Sequence, residues 1–152
     1  MSTYTQIHLQ LVFGVKYRRA LIGAAWKEEL HGYQIKLIEN RRHKLLAINS
    51  MPDHQHLLIG YRPSDPLPDL LRTLKSDSSA WVNQRGFLEH RFAWQEGYAA
   101  FSYERSAIPV VAAYIQNQEE HHRKMGFHNE VQGMLQDAGV SWQPEYFWPP
   151  LQ

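Results

Sequence analysis

Cysteine is absent from the 152-residue sequence, and so are long hydrophobic runs. Without cysteine the chain can form no disulfide, zinc–thiolate site or thiol nucleophile, so a bound metal would need imidazole, carboxylate or amide ligands. No segment approaches the roughly 20 apolar residues that span a bilayer. The first residues also lack the basic and apolar regions of a signal peptide. We therefore expect a soluble, cytoplasmic protein.

What is present indicates one globular domain with unevenly distributed charge. Hydrophobic residues make up 43% of the sequence, and residues 1–152 are enough for one core and too few for two. The net charge is only +1, yet residues 1–50 carry 8 basic and 3 acidic groups while residues 51–152 carry 8 and 12. The basic groups include two clusters, Lys16-Tyr17-Arg18-Arg19 and Arg41-Arg42-His43-Lys44. Such clusters are either solvated loops or contacts for nucleic acid.

Hydrophobic periodicity predicts a strand, a helix and a hairpin in the first 61 residues. Apolar side chains alternate over Thr5–Val15, which is typical of a half-buried strand. They recur every three or four residues over 24–40, which is typical of a helix ending near Asn40. Two apolar runs follow, Lys44–Met51 and His54–Tyr61, joined by a Pro-Asp pair that suits a tight reversal.

The rest of the chain predicts three helices and one strand. We expect a helix from the N-cap Asp65 to the stop Gly86 and then a strand over Phe92–Ser102 that bends at Gly97. A helix of about 107–124, capped by Ser106, should follow. A short helix over Asn129–Ala138 should lead into the tail, which runs to residue 152. This order matches the α+β, ferredoxin-like split βαβ plan. In that plan the first and third strands lie at the centre of an antiparallel sheet and two helices cover one face. We expect the other face to be open.

His54 and His56 form the first candidate site. Residues two apart in a strand point the same way, with Cα atoms about 6.6 Å apart, a span that one metal ion can bridge. Both should project from the open face, with His8 of the first strand close by. Taken alone, a His-x-His pair in a strand is more often surface decoration than a metal site.

Tyr114 and Gln118 form the second candidate site. They are four residues apart and so share one face of the predicted helix. An amide oxygen is a reasonable ligand for a hard cation, and a tyrosine beside such a cation is a plausible nucleophile. Taken alone, Tyr114 is more often a buried aromatic residue.

Four blocks of sequence together resemble one family, the single-tyrosine HUH transposases of the smallest bacterial insertion sequences and their REP-associated relatives. The blocks are Lys16-Tyr17-Arg18-Arg19, Met51-Pro52-Asp53-His54-Gln55-His56-Leu57-Leu58-Ile59, Trp94-Gln95-Glu96-Gly97-Tyr98 and Tyr114-Ile115-Gln116-Asn117-Gln118-Glu119. The resemblance implies that His54, His56 and Gln118 bind Mg²⁺ or Mn²⁺ and that Tyr114 is the nucleophile. One departure is Gln55, because the family has a bulky apolar residue between its two histidines.

The resemblance also implies a reaction and partners. Family members cut and rejoin single-stranded DNA that carries subterminal hairpins, through a covalent 5′-phosphotyrosine bond. They act as homodimers in which each active site combines the histidines of one subunit with the tyrosine helix of the other. The candidate DNA contacts of this chain are then Lys16, Tyr17, Arg18, Arg19, Arg41, Arg42 and His8. The alternative is a non-catalytic or domesticated protein that binds DNA or RNA hairpins with the same fold.

Overall fold

A four-stranded antiparallel sheet forms the centre of the molecule. The computed structural model describes residues 2–16 and 22–143. The strands are β1 (His8–Gly14), β2 (Lys44–Met51), β3 (His54–Gly60) and β4 (Ala99–Tyr103). Their order in the sheet is β2-β3-β1-β4, and every neighbouring pair is antiparallel. The predicted α+β, ferredoxin-like arrangement with the first and third strands at the centre is confirmed.

Helices α1 (Lys27–Asn40) and α2 (Leu67–Arg85) cover one face of the sheet. Their apolar stripes meet the side chains of β1 and β3 in a single core, which includes Leu11, Phe13, Leu57, Ile59, Leu30, Ile38, Leu70, Leu71 and Leu74. Both helices end as predicted, α1 at Asn40 and α2 at Arg85, directly before Gly86. The φ of Gly86, 68°, is a left-handed conformation that glycine adopts without strain. None of the described helices is long and apolar enough to cross a bilayer.

The opposite face is covered too, so the prediction of an open face is wrong. Three helices follow β4 in the chain and pack onto this second face of the sheet: α3 (Ile108–Gln116), α4 (Gln118–His122) and α5 (Phe127–Asp137). One apolar cluster there joins the sheet to α5 and another joins it to α3; their buried members are Val12, Ala99, Phe101, Phe127 and Val131, and Ala47, Leu58, Val111 and Ile115. The sheet has apolar side chains on both faces, and each face is therefore covered by a layer of helices.

The tyrosine-bearing segment is two helices and not one. A 3-10 turn, Arg105–Ala107, leads into α3, and neither begins with a side-chain cap, so Ser106 does not cap the helix. The segment breaks at Asn117, whose φ of −96° and ψ of 25° are not helical, before α4 begins. Tyr114 and Gln118 thus belong to successive helices joined by one residue.

Two other predicted boundaries differ because tertiary contacts override local signals. Asp65 does not cap α2: its carboxylate accepts hydrogen bonds from Arg41 and His43, and the helix begins only after Pro66. The predicted strand over Phe92–Ser102 reduces to β4 and one isolated bridge, Val15 with Trp94. Gly97, with a φ of 85°, separates the two parts.

Candidate active site

Strand β3 places His54 and His56 together on the face beneath α3 and α5. Alternate residues of a strand share a face, and the pairing of His54 with Gly14 and of His56 with Val12 sets both beside the central strand β1. Both side chains are completely buried. The two candidates from the His-x-His pattern therefore lie in the protein interior, between the sheet and the helical layer that follows β4.

Each histidine is oriented by a hydrogen bond at Nδ1. In His54, Nδ1–H donates to Asp53 Oδ1 at 2.7 Å, and in His56, Nδ1–H donates to Gln10 Oε1 at 2.7 Å. A proton held at Nδ1 leaves the Nε2 lone pair of each ring directed away from the partner. Metal-binding histidines in proteins are held in this way.

Glu130 of α5 lies at the point where three imidazole rings meet. Its Oε1 atom is 3.0 Å from His56 Nε2, 3.1 Å from His122 Nε2 and 3.5 Å from His54 Nε2. The carboxylate is nearly fully buried, with 3% of the residue exposed. Four ligand atoms from three separate elements, β3, α4 and α5, thus lie within 4.8 Å of one another.

Gln118 turns its amide oxygen to the same point. Its Oε1 is 3.3 Å from His54 Nε2, and its Nε2 donates to Glu130 Oε2 at 3.2 Å. The residue is completely buried, and its Nε2 also donates to the Tyr114 carbonyl at 3.5 Å. The oxygen expected from the sequence to act as a ligand is therefore directed at the histidines.

The chemistry of these atoms fits a cation. His54 Nδ1–H is used by Asp53, and its Nε2 faces the oxygens of Gln118 and Glu130, which are both acceptors. Acceptors directed at a lone pair repel unless a proton or a metal ion lies between them. Imidazole, carboxylate and amide oxygen are ligands that suit Mn²⁺, and the oxygens among them suit Mg²⁺.

The ionisation of the cluster follows from burial and from its own hydrogen bonds. Burial alone would disfavour ionised Glu130, but the hydrogen bonds that the His122, His54 and His56 rings donate when they are protonated outweigh it and hold the pKa of the carboxyl far below its usual range. Burial likewise opposes the charged form of His54, yet its bonds to Asp53 and Glu130 outweigh burial and raise its pKa. Burial dominates at His56 and lowers its pKa.

Tyr114 lies beside the cluster. Its hydroxyl donates a hydrogen bond to Glu130 Oε2, and its ring lies 4.3 Å from that of His121 and 6.2 Å from that of His56, measured between centroids. Burial and the bond to Glu130 raise the pKa of the phenol. The protein environment by itself therefore stabilises the phenol, and formation of the phenolate needs added positive charge.

Gln55, the departure from the family pattern, has a defined place in the structure. Its side chain is completely buried on the face of α1 and exchanges two hydrogen bonds with Gln34, Gln55 Nε2 to Gln34 Oε1 at 2.6 Å and Gln34 Nε2 to Gln55 Oε1 at 2.8 Å. Each amide is satisfied by the other, so the pair is tolerated inside the core. Gln55 thus bonds across 21 residues and not locally.

The candidate DNA contacts are spread over the molecule. Lys16 lies at the end of the sheet where His54 lies. It directly follows Val15, whose N–H donates to the Asp53 carbonyl. Arg41 and Arg42 precede β2 at its far end, about 20 Å from His54 if the strand rises about 3.3 Å per residue.

The candidate DNA contacts also differ in the surroundings of their side chains. The guanidinium of Arg41 is bound by Asp65, while Arg42 is exposed with a φ of 66°. His8 is partly buried in β1, and its Nδ1 has no hydrogen-bond partner among the described residues. Tyr17, Arg18 and Arg19 lie outside the described residues.

Sequence reasoning overlooked three residues that complete the site, His122, Glu130 and Gln10. The first had a signal, because Tyr114, Gln118 and His122 recur every four residues. Glu130 had none, since the loop between α4 and α5 sets its position. Gln10 falls between the alternating apolar residues of β1, and only the sheet register shows that it reaches His56.

Comparison with known proteins identifies the family. Residues 3–118 match the family model described as "Transposase IS200 like", and the chain belongs to this family of transposases. It is 22% identical over 120 residues to the ISDra2 transposase TnpA of Deinococcus radiodurans, covering 76% of this chain and 86% of the relative.

Two solved structures share the fold. A crystal structure of a candidate transposase from D. radiodurans matches with a TM-score of 0.63 and 22% identity, covering 78% of this chain and 95% of that one. A REP-associated tyrosine transposase bound to a REP hairpin matches with a TM-score of 0.60 and 16% identity, covering 98% and 92%. Together with the family match, these findings make the chain a TnpA-like transposase of the IS200-like family, whose members cut and transfer DNA strands.

Proposed function

We propose that this transposase cleaves and rejoins single-stranded DNA at hairpin-bearing ends through a covalent 5′-phosphotyrosine intermediate on Tyr114. The observation that carries the proposal is the convergence of Tyr114, three histidines and Glu130 on one buried point. A merely structural tyrosine would need no such neighbours. The hairpin-bound state of the REP-associated neighbour supports a hairpin substrate for this chain as well.

We further propose that the buried cluster holds one divalent metal ion, Mn²⁺ or Mg²⁺. His54, His56 and Gln118 are the ligands implied by the family resemblance, and His122 and Glu130 lie within ligand distance of the same point. Three imidazoles favour Mn²⁺ over Mg²⁺, because nitrogen ligands suit the softer ion. When bound, the ion supplies positive charge that polarises the scissile phosphate.

The protein's own residues supply position and orientation. Glu130 accepts the hydrogen bond of the Tyr114 hydroxyl and so fixes the nucleophile beside the cluster. In the reaction the phenolic oxygen loses its proton and bonds to phosphorus, the bond from phosphorus to the 3′ oxygen breaks, and that oxygen gains a proton to become a free 3′-hydroxyl. The new tyrosine ester keeps the energy needed for rejoining. Fixed geometry of this kind replaces the entropy cost of bringing two reactants together.

The experiment that tests this function is adduct formation. The protein is incubated with a single-stranded hairpin oligonucleotide from its own genomic flanks and Mn²⁺, and a denaturing gel shows whether DNA remains attached. We expect an adduct with the wild-type protein and none with Tyr114→Phe, while Tyr33→Phe, on the opposite face of the sheet, serves as the matched control. An adduct that persists in Tyr114→Phe would remove Tyr114 as nucleophile. No adduct with any flanking end would favour the hairpin-binding alternative.

The subunit arrangement has its own test. The resemblance implies a homodimer with composite active sites, yet in this structure Tyr114 reaches Glu130 and the histidines of its own chain, and Asn49 of β2 donates to the Ile115 carbonyl of α3. We propose that the complete set of groups can assemble within one chain. Mixing Tyr114→Phe with His56→Ala protein decides the matter, because activity returns only if tyrosine helices are exchanged between subunits.

A further inference from the structure

A hydrogen-bonded relay crosses three strands and ends at one of the candidate ligand residues. His56 of β3 donates from Nδ1 to Gln10 Oε1 of β1 at 2.7 Å, and Gln10 Nε2 donates to the Tyr103 hydroxyl of β4 at 2.9 Å. Gln10 is 1% exposed and His56 is completely buried. The amide of Gln10 therefore has these two protein groups as partners.

The sheet register explains why the relay forms. Gln10 pairs with Leu58 on one side and Phe101 on the other, so His56 and Tyr103 are each its diagonal neighbours. Diagonal side chains on one face lie within reach of long residues. A shorter residue than Gln10 would leave both neighbours without this contact.

We propose that Gln10 and Tyr103 are positioning residues that keep the proton of His56 on Nδ1 and so keep Nε2 available as a metal ligand. The inference rests on the proposed function, because it concerns the same metal site. Two acceptors compete for the ring proton: Gln10 Oε1 at Nδ1, and Glu130 Oε1 at 3.0 Å from Nε2. Without Gln10, Glu130 is the acceptor that remains for the ring proton. The proton then moves to Nε2, the atom that would bind the metal.

Tyr103 acts one step further back. Its hydroxyl accepts the amide N–H of Gln10 and so anchors the Gln10 side chain between His56 and β4. Removing the hydroxyl leaves that N–H without this partner and loosens the side chain that faces His56. His54 needs no such relay, because the carboxylate of the adjacent Asp53, unlike an amide, can only accept.

The test compares variants that change the relay with one that does not. Gln10→Met removes both amide groups at similar bulk, Gln10→Glu keeps an acceptor facing Nδ1, and Tyr103→Phe removes only the hydroxyl. Gln34→Met is the matched control, since Gln34 is an equally buried, hydrogen-bonded glutamine on the other face of the sheet. Mn²⁺ affinity is measured by calorimetry, and the protonated ring nitrogen of His56 is identified by ¹⁵N NMR of the metal-free protein.

We expect Gln10→Met to lower Mn²⁺ affinity about 10- to 100-fold, as loss of a group that orients a metal ligand usually does, and to move the His56 proton to Nε2. Gln10→Glu should restore both readings, Tyr103→Phe should fall between, and Gln34→Met should change neither. Unchanged affinity and an unchanged Nδ1 proton in folded Gln10→Met or Tyr103→Phe would overturn the relay. Absence of Mn²⁺ binding by the wild-type protein would instead overturn the metal site, and the NMR reading would still decide the relay.

Discussion

Two buried clusters of this protein contain histidine and carboxylate, but their hydrogen bonds are of opposite kinds. In the Asp65 cluster, formed by Arg41, His43, Tyr61 and Asp65, the carboxylate accepts from Arg41 Nε at 2.8 Å and from His43 Nε2 at 2.7 Å. His43 Nδ1 in turn accepts the backbone N–H of Arg62 at 3.0 Å. Each donor in this cluster meets an acceptor.

The active-site cluster, formed by His54, His56, Gln118, His122 and Glu130, has an excess of acceptors. Three imidazole Nε2 atoms and the amide oxygen of Gln118 are directed at or beside a single carboxylate oxygen. A cluster that is complete by itself stabilises the fold, whereas one whose acceptors outnumber its donors is suited to bind a cation. The residue types present therefore do not distinguish a structural cluster from a functional one. The balance of hydrogen-bond donors and acceptors does.

The largest expected effect comes from breaking the complete cluster. Asp65→Ala leaves Arg41 and His43 without their acceptor, and we expect the free energy of unfolding to fall by about 3 kcal/mol, because removing one partner of a buried pair leaves the other unpaired. Urea denaturation measures the loss. Mn²⁺ affinity of the folded variant should equal that of the wild type, and a parallel loss of affinity would mean that the two clusters are not independent.

The next effect should appear at the incomplete cluster. Glu130→Gln removes the one negative charge at the point where the histidines meet, so we expect Mn²⁺ to bind at least about tenfold more weakly, a loss of about 1.4 kcal/mol. Glu120→Gln, an exposed acidic residue of α4, is the control for net charge. Equal affinity in Glu130→Gln and the control would exclude Glu130 from the site.

The Gln34–Gln55 pair gives an effect that isolates the coupling between two buried amides. Gln34→Leu leaves the Gln55 amide buried without a partner and should cost about 1–3 kcal/mol of stability. Replacing both glutamines with Leu should bring stability back close to that of the wild type, because no polar group is then left unpaired. Thermal denaturation of the two single variants and the double variant measures this coupling. Additive losses would show that the reciprocal hydrogen bonds are not what tolerates Gln55.

The last effect is a dependence of stability on pH. Hydrogen bonds from Arg41 and His43 lower the pKa of Asp65 from 3.8 to about 2. A carboxyl whose pKa is depressed in the folded state contributes stability above its unfolded pKa, and loses it as pH falls through the folded value. We therefore expect the wild-type protein to lose stability relative to Asp65→Asn between about pH 4 and pH 2. A constant difference across that range would contradict the pairing.

Local pattern was sufficient to predict the sheet and the residues that lie close along the chain. The alternation in β1, the His-x-His pair of β3 and the stop at Gly86 depend on neighbours within a few residues, and the structure has all three. Local sequence predicts Asp65 to be a helix cap because it directly precedes Pro66, whereas its partner in the structure, Arg41, lies 24 residues away. Local signals carry no information about such a partner.

Local signals also carried no information about the partners that meet at the site, on the face of the sheet covered by α3, α4 and α5. The sequence placed Tyr114 and Gln118 on one helix and left Glu130 out, because the break at Asn117 and the return of α5 over the sheet are set by tertiary packing. The residues were still brought together, since a four-residue step keeps side chains close across a one-residue break. Residues that approach from another element, such as Glu130, become visible only in the folded chain.

The most direct test of a metal centre in the active-site cluster is Mn²⁺ binding to the wild-type protein and to the double variant His54→Ala/His56→Ala. Electron paramagnetic resonance of free Mn²⁺ counts the bound ion during a titration. We predict one bound Mn²⁺ per chain for the wild type and none for the double variant at the same concentrations, with both proteins folded by circular dichroism. Equal binding by the two proteins would contradict the assignment of this cluster as the metal centre.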